Sequence, residues 1–233
     1  MKVGIMQPYL FPYIGYFQLI NAVHKFVIHD DVQYIKGGWI NRNRIQINDK
    51  EHLFTFSLKK DSSLKNINTR FFSGQFIKEK ENFLRKVKNS YKKTPFFSEI
   101  YDLLREIFNH QDLNLSSFII NSQKNICNYL NIKTPIYISS QLEKNNKLKS
   151  HHRVINICKT LNGDIYINPI GGMSLYSKEV FKKHNINLFF LKTKDIKYES
   201  KKKFFIPNLS IIDVMMFNSK KTIKKLLNFY ELI

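Results

Sequence analysis

Short apolar segments alternate with amphipathic helical patterns along most of this chain, and no other feature constrains its fold as strongly. The predicted strands are Val3 to Met6, Phe26 to Ile28, Ile136 to Ile138, Ile165 to Ile167 and Leu188 to Leu191. Apolar residues at helical spacing lie between them, at 13–23, 150–161 and 174–183. Because parallel strands need crossover helices that cover both sides of the sheet, we predict an α/β fold with a mostly parallel, Rossmann-like sheet and helices on both faces.

Two interruptions of this alternation predict insertions. Residues 36–60 contain two strand-like segments, at 39–47 and 53–58, around the turn residues 48–51, which predicts a β-hairpin. Residues 75–131 contain three helical patterns, at 76–91, 96–108 and 116–130, and two further patterns, at 210–217 and 222–232, close the chain. We therefore predict a single α/β domain over residues 1–233, with a hairpin insertion and a helical insertion.

The core of such a domain needs no covalent support. With 233 residues, 43% of them hydrophobic, the chain can bury a core without disulfides or metal. Its cysteines, Cys127 and Cys158, lie within apolar helical patterns and are expected to be buried thiols. The first apolar run stops at Gln7-Pro8, and none approaches the roughly 18 residues of a membrane span. We expect a cytoplasmic protein without a membrane span.

The formal net charge of +20 would ordinarily indicate a polyanionic partner. The chain has 32 Lys but 6 Arg and a single Ala, so an AT-rich base composition accounts for part of that charge. The lysines are scattered in pairs and triplets, such as Lys59-Lys60, Lys92-Lys93 and Lys201 to Lys203, which is typical of solvated surfaces. We expect non-specific adhesion to polyanions and no specific nucleic-acid function.

Ligands of open parallel sheets bind beyond the carboxyl ends of the strands, and this rule selects the loop after the first predicted strand. The loop begins at Gln7 and is stiffened by Pro8 and Pro12 before the helical pattern with Gly15 and Tyr16. Gln7 and Tyr16 are therefore candidate substrate-binding residues. A rigid structural turn with aromatic packing is the alternative.

The second predicted strand ends in three polar residues, His29, Asp30 and Asp31, which are the candidate catalytic residues. A carboxylate here could act as a general base, and alternation directs one aspartate into the crevice while the other caps a turn. His29 could titrate near neutrality, although a lone histidine at a strand end is more often simply hydrogen-bonded. Gln33 and Tyr34 follow as candidate substrate-binding residues.

The first predicted hairpin strand carries two of the six arginines, Arg42 and Arg44. Alternation places both guanidinium groups on one face, and on the other face it places Trp39, Asn41 and Asn43. Because a guanidinium matches phosphate oxygens in a bidentate way, the strand predicts diphosphate binding, with Trp39 or Tyr34 stacking on a base or sugar and Asn41 and Asn43 bonding to polar groups of the substrate. The alternative is a strand with surface ion pairs.

A third candidate segment follows the predicted strand at 165–167. Gly171 and Gly172 could turn backbone amides toward an anion, assisted by the Ser174 hydroxyl and the dipole of the helix predicted from that residue. The segment matches neither a Walker loop nor a dinucleotide-binding motif. The chain also has no GxSxG elbow, no HExxH motif and no zinc-ligand spacing, so we predict no metal.

These segments together resemble a known family. Met6 to Pro8, Gly15 to Phe17, Asp30 to Tyr34 and Trp39 to Asn43 resemble the N-terminal signature of the WbqC-like protein family, and the resemblance extends through 91–97, 165–176 and 209–213. His29 has no fixed counterpart in the family pattern. The resemblance implies a transferase in the assembly of bacterial O-antigen, the polysaccharide of lipopolysaccharide, or of other surface polysaccharides.

On this basis the sequence predicts N-acyl transfer to a nucleotide-linked amino sugar. The donor would be an acyl thioester of coenzyme A or of an acyl carrier protein, Asp31 or Asp30 would accept the proton, and Arg42 and Arg44 would hold the diphosphate. A homodimer is compatible with this prediction.

Two alternatives remain open. One is an ATP-dependent ligase or nucleotidyltransferase, because the Pro-x-x-Gly-Tyr segment resembles the pantothenate-synthetase arrangement, in which a histidine follows the glycine. Tyr16 stands in that position here and does not readily supply the charge of an imidazolium. The other alternative is a non-catalytic scaffold protein.

Overall fold

A mostly parallel sheet forms the centre of the protein in the computed structural model, which describes residues 1–198 and 205–233. In these residues the strands are β1 (Lys2–Met6), β2 (Lys25–Ile28), β3 (Arg42–Ile47), β4 (Lys50–Thr55), β5 (Ile136–Ile138), β6 (Ile165–Pro169), β7 (Asn187–Thr193) and β8 (Tyr230–Leu232). Six of them form the central sheet, in the order β5-β2-β1-β6-β7-β8, and every neighbouring pair is parallel except β7 and β8. The predicted mostly parallel sheet is confirmed.

Helices cover both faces of this sheet, as predicted. They are α1 (Ile14–Ala22), α2 (Phe76–Tyr91), α3 (Phe97–Phe108), α4 (Leu115–Tyr129), α5 (Ser150–Thr160), α6 (Lys178–Lys182), α7 (Ile211–Phe217) and α8 (Lys220–Leu226). Alternate strand residues point to opposite sides. Val27 and Tyr166 join a core cluster with α5 and α6, whereas Phe26 and Ile167 join the larger cluster that contains α1, α7 and α8.

The two insertions pack against each other. Strands β3 and β4 form a separate hairpin in which Ile47 pairs with Lys50, so its loop is Asn48-Asp49, both at positive φ (49° and 59°). This two-residue turn is tighter than the predicted turn over 48–51, and β4 begins earlier. Phe54 of the hairpin packs on Phe83 of α2 at 4.5 Å between ring centroids. Hairpin and helical insertion thus share one core, and the single-domain description stays a prediction.

Two sequence predictions near the C-terminus are wrong in extent. The helix predicted over 222–232 ends at Leu226, because residues 230–232 pair instead with residues 191–193 at the exposed edge of β7. The segment Tyr230–Leu232 is too short for its apolar pattern to distinguish a strand from a helix. The helix predicted from Ser174 begins only at Lys178 and has five residues, so the preceding residues form a turn.

The surface and the thiols agree with the composition. Cys127 and Cys158 are buried, and burial raises the pKa of both thiols to about 12. The lysine pairs Lys59-Lys60 and Lys92-Lys93 are exposed, whereas the triplet 201–203 lies outside the described residues. Within the described residues, no helix combines the length and apolar character needed to cross a bilayer.

Candidate functional site

After β1 and after β6 the chain turns to opposite sides of the sheet, so the carboxyl ends of these two central strands are the expected ligand site. From β1 the chain continues through α1 to β2 on one side, and from β6 it continues through α6 to β7 on the other side. Open α/β sheets bind ligands at such a switch point. A cavity of about 380 Å³ opens here, and we name it the switch-point cavity. Its lining includes five residues of the loops after β1, β2 and β6, which are Gln7, Tyr9, His29, Gly171 and Gly172, and also Asn168 near the end of β6.

A second cavity, of about 350 Å³, lies beside the first. We name it the Trp39 cavity, and its lining includes Tyr9, Tyr13, Trp39, Asn43, Arg44, Lys192 and Asn208. Tyr9 lines both cavities, so they meet at this residue. Each has a volume typical of a small-molecule site.

Of the three predicted catalytic residues, His29 lines the switch-point cavity. Its side chain is 13% exposed, and its Nε2 atom is buried without a hydrogen-bond partner among the described residues. Burial lowers the pKa of His29 from 6.5 to about 4; the Asp31 carboxylate opposes this shift, and the charges of Arg153 and Lys144 add to it. The imidazole is therefore neutral near neutral pH and can accept a proton.

Asp31 lies behind His29 in a buried ion-pair cluster. Its Oδ2 accepts a hydrogen bond from Lys144 Nζ at 2.8 Å and lies 2.5 Å from Arg153 Nη2, while its Oδ1 lies 3.8 Å from His29 Nε2. Burial alone would raise the pKa of Asp31, but the hydrogen bond from Lys144 and the charges of Arg153 and Lys144 outweigh it and lower this pKa. This carboxylate lines neither cavity, and its hydrogen bond and its shortest ion pairs are with Lys144 and Arg153 rather than with His29.

Asp30 connects two strands rather than facing a cavity. Its carboxylate is 2% exposed and accepts hydrogen bonds from the Ser140 amide at 2.9 Å and the Ser140 hydroxyl at 2.7 Å. Burial raises the pKa of Asp30. Both oxygens of Asp30 are therefore occupied by the turn after β5, and Asp30 lines neither cavity.

The hairpin arginines share one face, as predicted, and both contact Trp39. The guanidinium carbons of Arg42 and Arg44 lie 5.5 and 5.0 Å from the centroid of the Trp39 ring. Trp39 precedes β3 and lies on the arginine side, so its predicted placement on the opposite face is wrong. Arg44 lines the Trp39 cavity and pairs with Glu51 at 2.8 Å. Arg42 lines neither cavity and donates to the Gly37 carbonyl.

Two other predicted binding residues, Tyr34 and Asn41, connect the loop after β2 with the hairpin segment through hydrogen bonds. The Tyr34 hydroxyl donates to Asn41 Oδ1 at 2.8 Å, and Asn41 Nδ2 donates to the Phe56 carbonyl at 2.7 Å. Both side chains are buried, and the Tyr34 ring faces the guanidinium of Arg70 at 4.9 Å. Because these groups satisfy one another, they do not offer polar atoms to a ligand in either cavity.

Asn43 fixes the loop that separates the two cavities. Its Nδ2 donates to the carbonyls of Leu10 at 3.0 Å and Phe11 at 2.7 Å, and it also lines the Trp39 cavity. Phe11 has a φ of 45°, a left-handed conformation that costs energy for a residue with a side chain. The Ser210 hydroxyl donates to the same Phe11 carbonyl at 2.7 Å. These bonds fix the backbone between Tyr9 and Tyr13.

Besides Tyr34, Asn41 and Arg42, three further predicted binding residues lie outside both cavities. Tyr16 is buried in the core, where its hydroxyl donates to the Gln7 carbonyl at 2.9 Å. Gln33 is exposed, and its amide donates to the Ser63 carbonyl at 3.0 Å. Ser174 is exposed in the turn before α6, too far from a helix start to gain the predicted dipole. The structure therefore does not bring these three together with His29.

The two glycines after β6 differ in what surrounds them. A Cβ atom on Gly172 would lie 2.4 Å from Asn168 Nδ2, whereas one on Gly171 would have nothing within 4 Å. Gly172 thus makes room for the side chain of Asn168, which lines the switch-point cavity and makes no side-chain hydrogen bond to another described residue. Asn168 is not among the predicted site residues, although it follows a predicted strand in the same way as His29.

The sequence analysis also missed Lys144 and Arg153. Arg153 is one of only six arginines, which was a usable signal, but Lys144 is one of 32 lysines and nothing in the sequence distinguishes it. Among the described residues, no group of three His, Cys, Asp or Glu side chains could hold a metal ion.

Comparisons with known proteins bear on the identity of the chain. The model of the WbqC-like protein family matches residues 7–225. The uncharacterized protein Rv1507c of Mycobacterium tuberculosis is 29% identical over 217 residues, which cover 92% of this chain and 92% of the relative. A comparison with solved structures gives no significant match. Because the family model spans nearly the whole sequence, the chain belongs to the WbqC-like protein family.

Proposed function

We propose that this protein is a transferase that N-acylates a nucleotide-linked amino sugar, with an acyl thioester as donor, during the synthesis of a surface polysaccharide. Membership of the WbqC-like family suggests a role in polysaccharide biosynthesis. The observation that carries the proposal is the pair of adjoining cavities: one combines an indole ring with cations, and the other contains a neutral histidine.

The Trp39 cavity suits the nucleotide diphosphate of the acceptor. Arg44 and Lys192 supply positive charge, and the Trp39 ring supplies a surface on which a base can stack. Both cations pair with surface carboxylates, Glu51 and Glu231, and all four side chains are partly exposed to solvent. Since such pairs contribute little to stability, a diphosphate can displace the carboxylates.

The sugar amine would reach His29 past Tyr9, which lines both cavities. The nitrogen lone pair attacks the thioester carbonyl carbon, the C–N bond forms, and the C–S bond then breaks. The imidazole accepts the proton from nitrogen and delivers it to the departing sulfur. Addition to the carbonyl makes the N–H of the attacking nitrogen more acidic than the N–H of a free ammonium group. A His29 imidazole with a pKa of about 4 therefore accepts the proton of the addition intermediate more readily than the proton of a free ammonium group.

Mass spectrometry tests this proposal directly. Purified protein is incubated with a panel of nucleotide-linked amino sugars and acyl thioesters, and the sugar is expected to gain the mass of one acyl group. His29→Asn should reduce the rate at least about 100-fold, the usual contribution of a general base. His184→Asn, a change beyond the far end of α6, is the control. Absence of product across the panel, or an equal rate with His29→Asn, would contradict the proposal.

No feature of the described residues favours the ligase or nucleotidyltransferase alternative. The position that carries a histidine in those domains holds Tyr16, whose side chain is buried. Substrate-dependent release of pyrophosphate or AMP from ATP is the readout that would support it.

A further inference from the structure

The two cavities differ in charge. The described residues that line the switch-point cavity include no Lys, Arg, Asp or Glu, although the chain has 38 basic and 18 acidic residues. The Trp39 cavity, in contrast, is lined by Arg44 and Lys192. A phosphate therefore fits the Trp39 cavity, and an uncharged group fits the switch-point cavity.

The mouth of the switch-point cavity is apolar. Ile35, on the loop after β2, is 57% exposed, and Leu175, on the loop after β6, is 68% exposed, yet both line this cavity. Deeper in the same cavity, the lining residues Ile5, Val154 and Tyr166 are buried. A ligand in this cavity can therefore contact exposed apolar side chains at the mouth and buried ones deeper in, and it gains free energy for each methylene that it removes from water.

The side-chain amide of Asn168 is a neutral hydrogen-bond donor in this cavity. Asn168 is buried and lines the cavity, and Gly172 leaves the space that its amide occupies. An amide in the same cavity as His29 can donate to a carbonyl oxygen without adding charge to the cavity. A carbonyl group with an apolar tail matches this combination of an uncharged amide donor and an apolar mouth.

We propose that the switch-point cavity binds the acyl end of the donor, with a chain longer than acetyl along Ile35 and Leu175 and the carbonyl oxygen at the Asn168 amide. The identification of this ligand as a donor rests on the proposed function. Binding of the chain itself does not require the acceptor, so it can be measured separately.

Isothermal titration calorimetry with small thioesters tests the inference. The probes are the acetyl, butyryl and hexanoyl thioesters of N-acetylcysteamine, added to the full chain without an amino sugar. Affinity should rise about threefold to fourfold for each methylene. Leu175→Asp and Ile35→Asp should each weaken hexanoyl binding at least about tenfold. Leu64→Asp is the matched control, because Leu64 is 76% exposed and lines neither cavity. Both test positions are exposed, so these variants should fold.

Equal affinities for the acetyl and hexanoyl probes would overturn the inference, and so would an unchanged dependence on chain length in both mouth variants. Acetyl transfer to an amino sugar without any chain-length dependence would refute this inference and leave the proposed function standing. Chain-length-dependent binding without transfer to any acceptor would support the inference and refute the proposed function.

Discussion

At the scale of single residues, burial and three charged neighbours determine the protonation state of one imidazole, and burial has the largest effect. Asp31, Lys144 and Arg153 meet behind His29, and together they place two positive charges against one negative charge. Because the histidine is also buried, its neutral form is favoured, and its pKa is lowered to about 4. A neutral imidazole beside an uncharged cavity is the state that a proton acceptor requires.

The lowered pKa of His29 makes the stability of the fold depend on pH in a defined window. Below its ordinary pKa of 6.5 the unfolded chain binds a proton that the folded chain does not bind until the pH reaches about 4. The free energy of unfolding should therefore fall by about 3 kcal/mol as the pH drops from 6.5 to about 4. Urea unfolding of the wild type and of His29→Asn gives this contribution as a difference between their pH profiles. Parallel profiles would contradict the assignment.

The glycine pair after β6 offers a second residue-level test. Gly172→Ala should displace the Asn168 amide, because the new Cβ would lie 2.4 Å from Nδ2, while stability changes by no more than about 1 kcal/mol since a side-chain end can move. The NMR signal of the Asn168 side-chain amide, assigned with Asn168→Asp, should shift. Gly171→Ala should leave that signal in place, because its Cβ meets nothing within 4 Å. A similar shift in both variants would be the contrary result.

At the scale of elements, hydrogen bonds from the hairpin segment fix the loop after β1. Asn43 of β3 holds the carbonyls of Leu10 and Phe11, and the Leu10 amide donates to the Ile40 carbonyl at 3.1 Å. Tyr9 and Tyr13, on either side of this segment, line the cavities. The hairpin thus supplies Arg44 to one cavity and also fixes the residues that separate the two.

Asn43→Ala should destabilise the protein by about 2 kcal/mol, since it removes two buried hydrogen bonds from a strained loop. Chemical denaturation measures this effect. Asn89→Ala, an exposed change within α2, should have little effect. Equal stability of the two variants would contradict a stabilising role for the Asn43 hydrogen bonds.

The elements themselves could be predicted because their signals are local. The periodicity of Phe76–Tyr91 and the apolar run Ile136–Ile138 give the observed bounds of α2 and β5 directly. Strand β8 could not be predicted, because its pairing with β7 depends on contacts between distant segments. The same distinction applies to the site. The rule that ligands bind at strand ends predicted Gln7, His29 and Gly172, which line the switch-point cavity. The pairing of Asp31 with Lys144 and Arg153 could not be predicted, because it joins segments that are distant in the sequence.

At the scale of the whole molecule, the formal net charge is +20, but few charged side chains line the two cavities. The exposed lysine pairs lie on helices and loops, whereas the Trp39 cavity has two cations, Arg44 and Lys192. Polyanion binding should therefore be separate from ligand binding.

Binding to heparin or to DNA of random sequence should weaken steeply with salt, with a slope set by many released counterions. Binding of a nucleotide sugar should show a much shallower slope, because about two cations meet its diphosphate. Titrations between low and moderate salt, followed by fluorescence anisotropy for DNA and calorimetry for the sugar, measure both slopes. Sequence-selective DNA binding that persists at high salt would contradict this account.

The proposed function requires that one ligand, the nucleotide-linked amino sugar, extends through both cavities past Tyr9. A crystal structure with a bound nucleotide-linked amino sugar measures this directly. We expect the diphosphate against Arg44 and Lys192 and the sugar amine within hydrogen-bond reach of His29. A sugar bound elsewhere, or an amine directed away from His29 toward solvent, would contradict it.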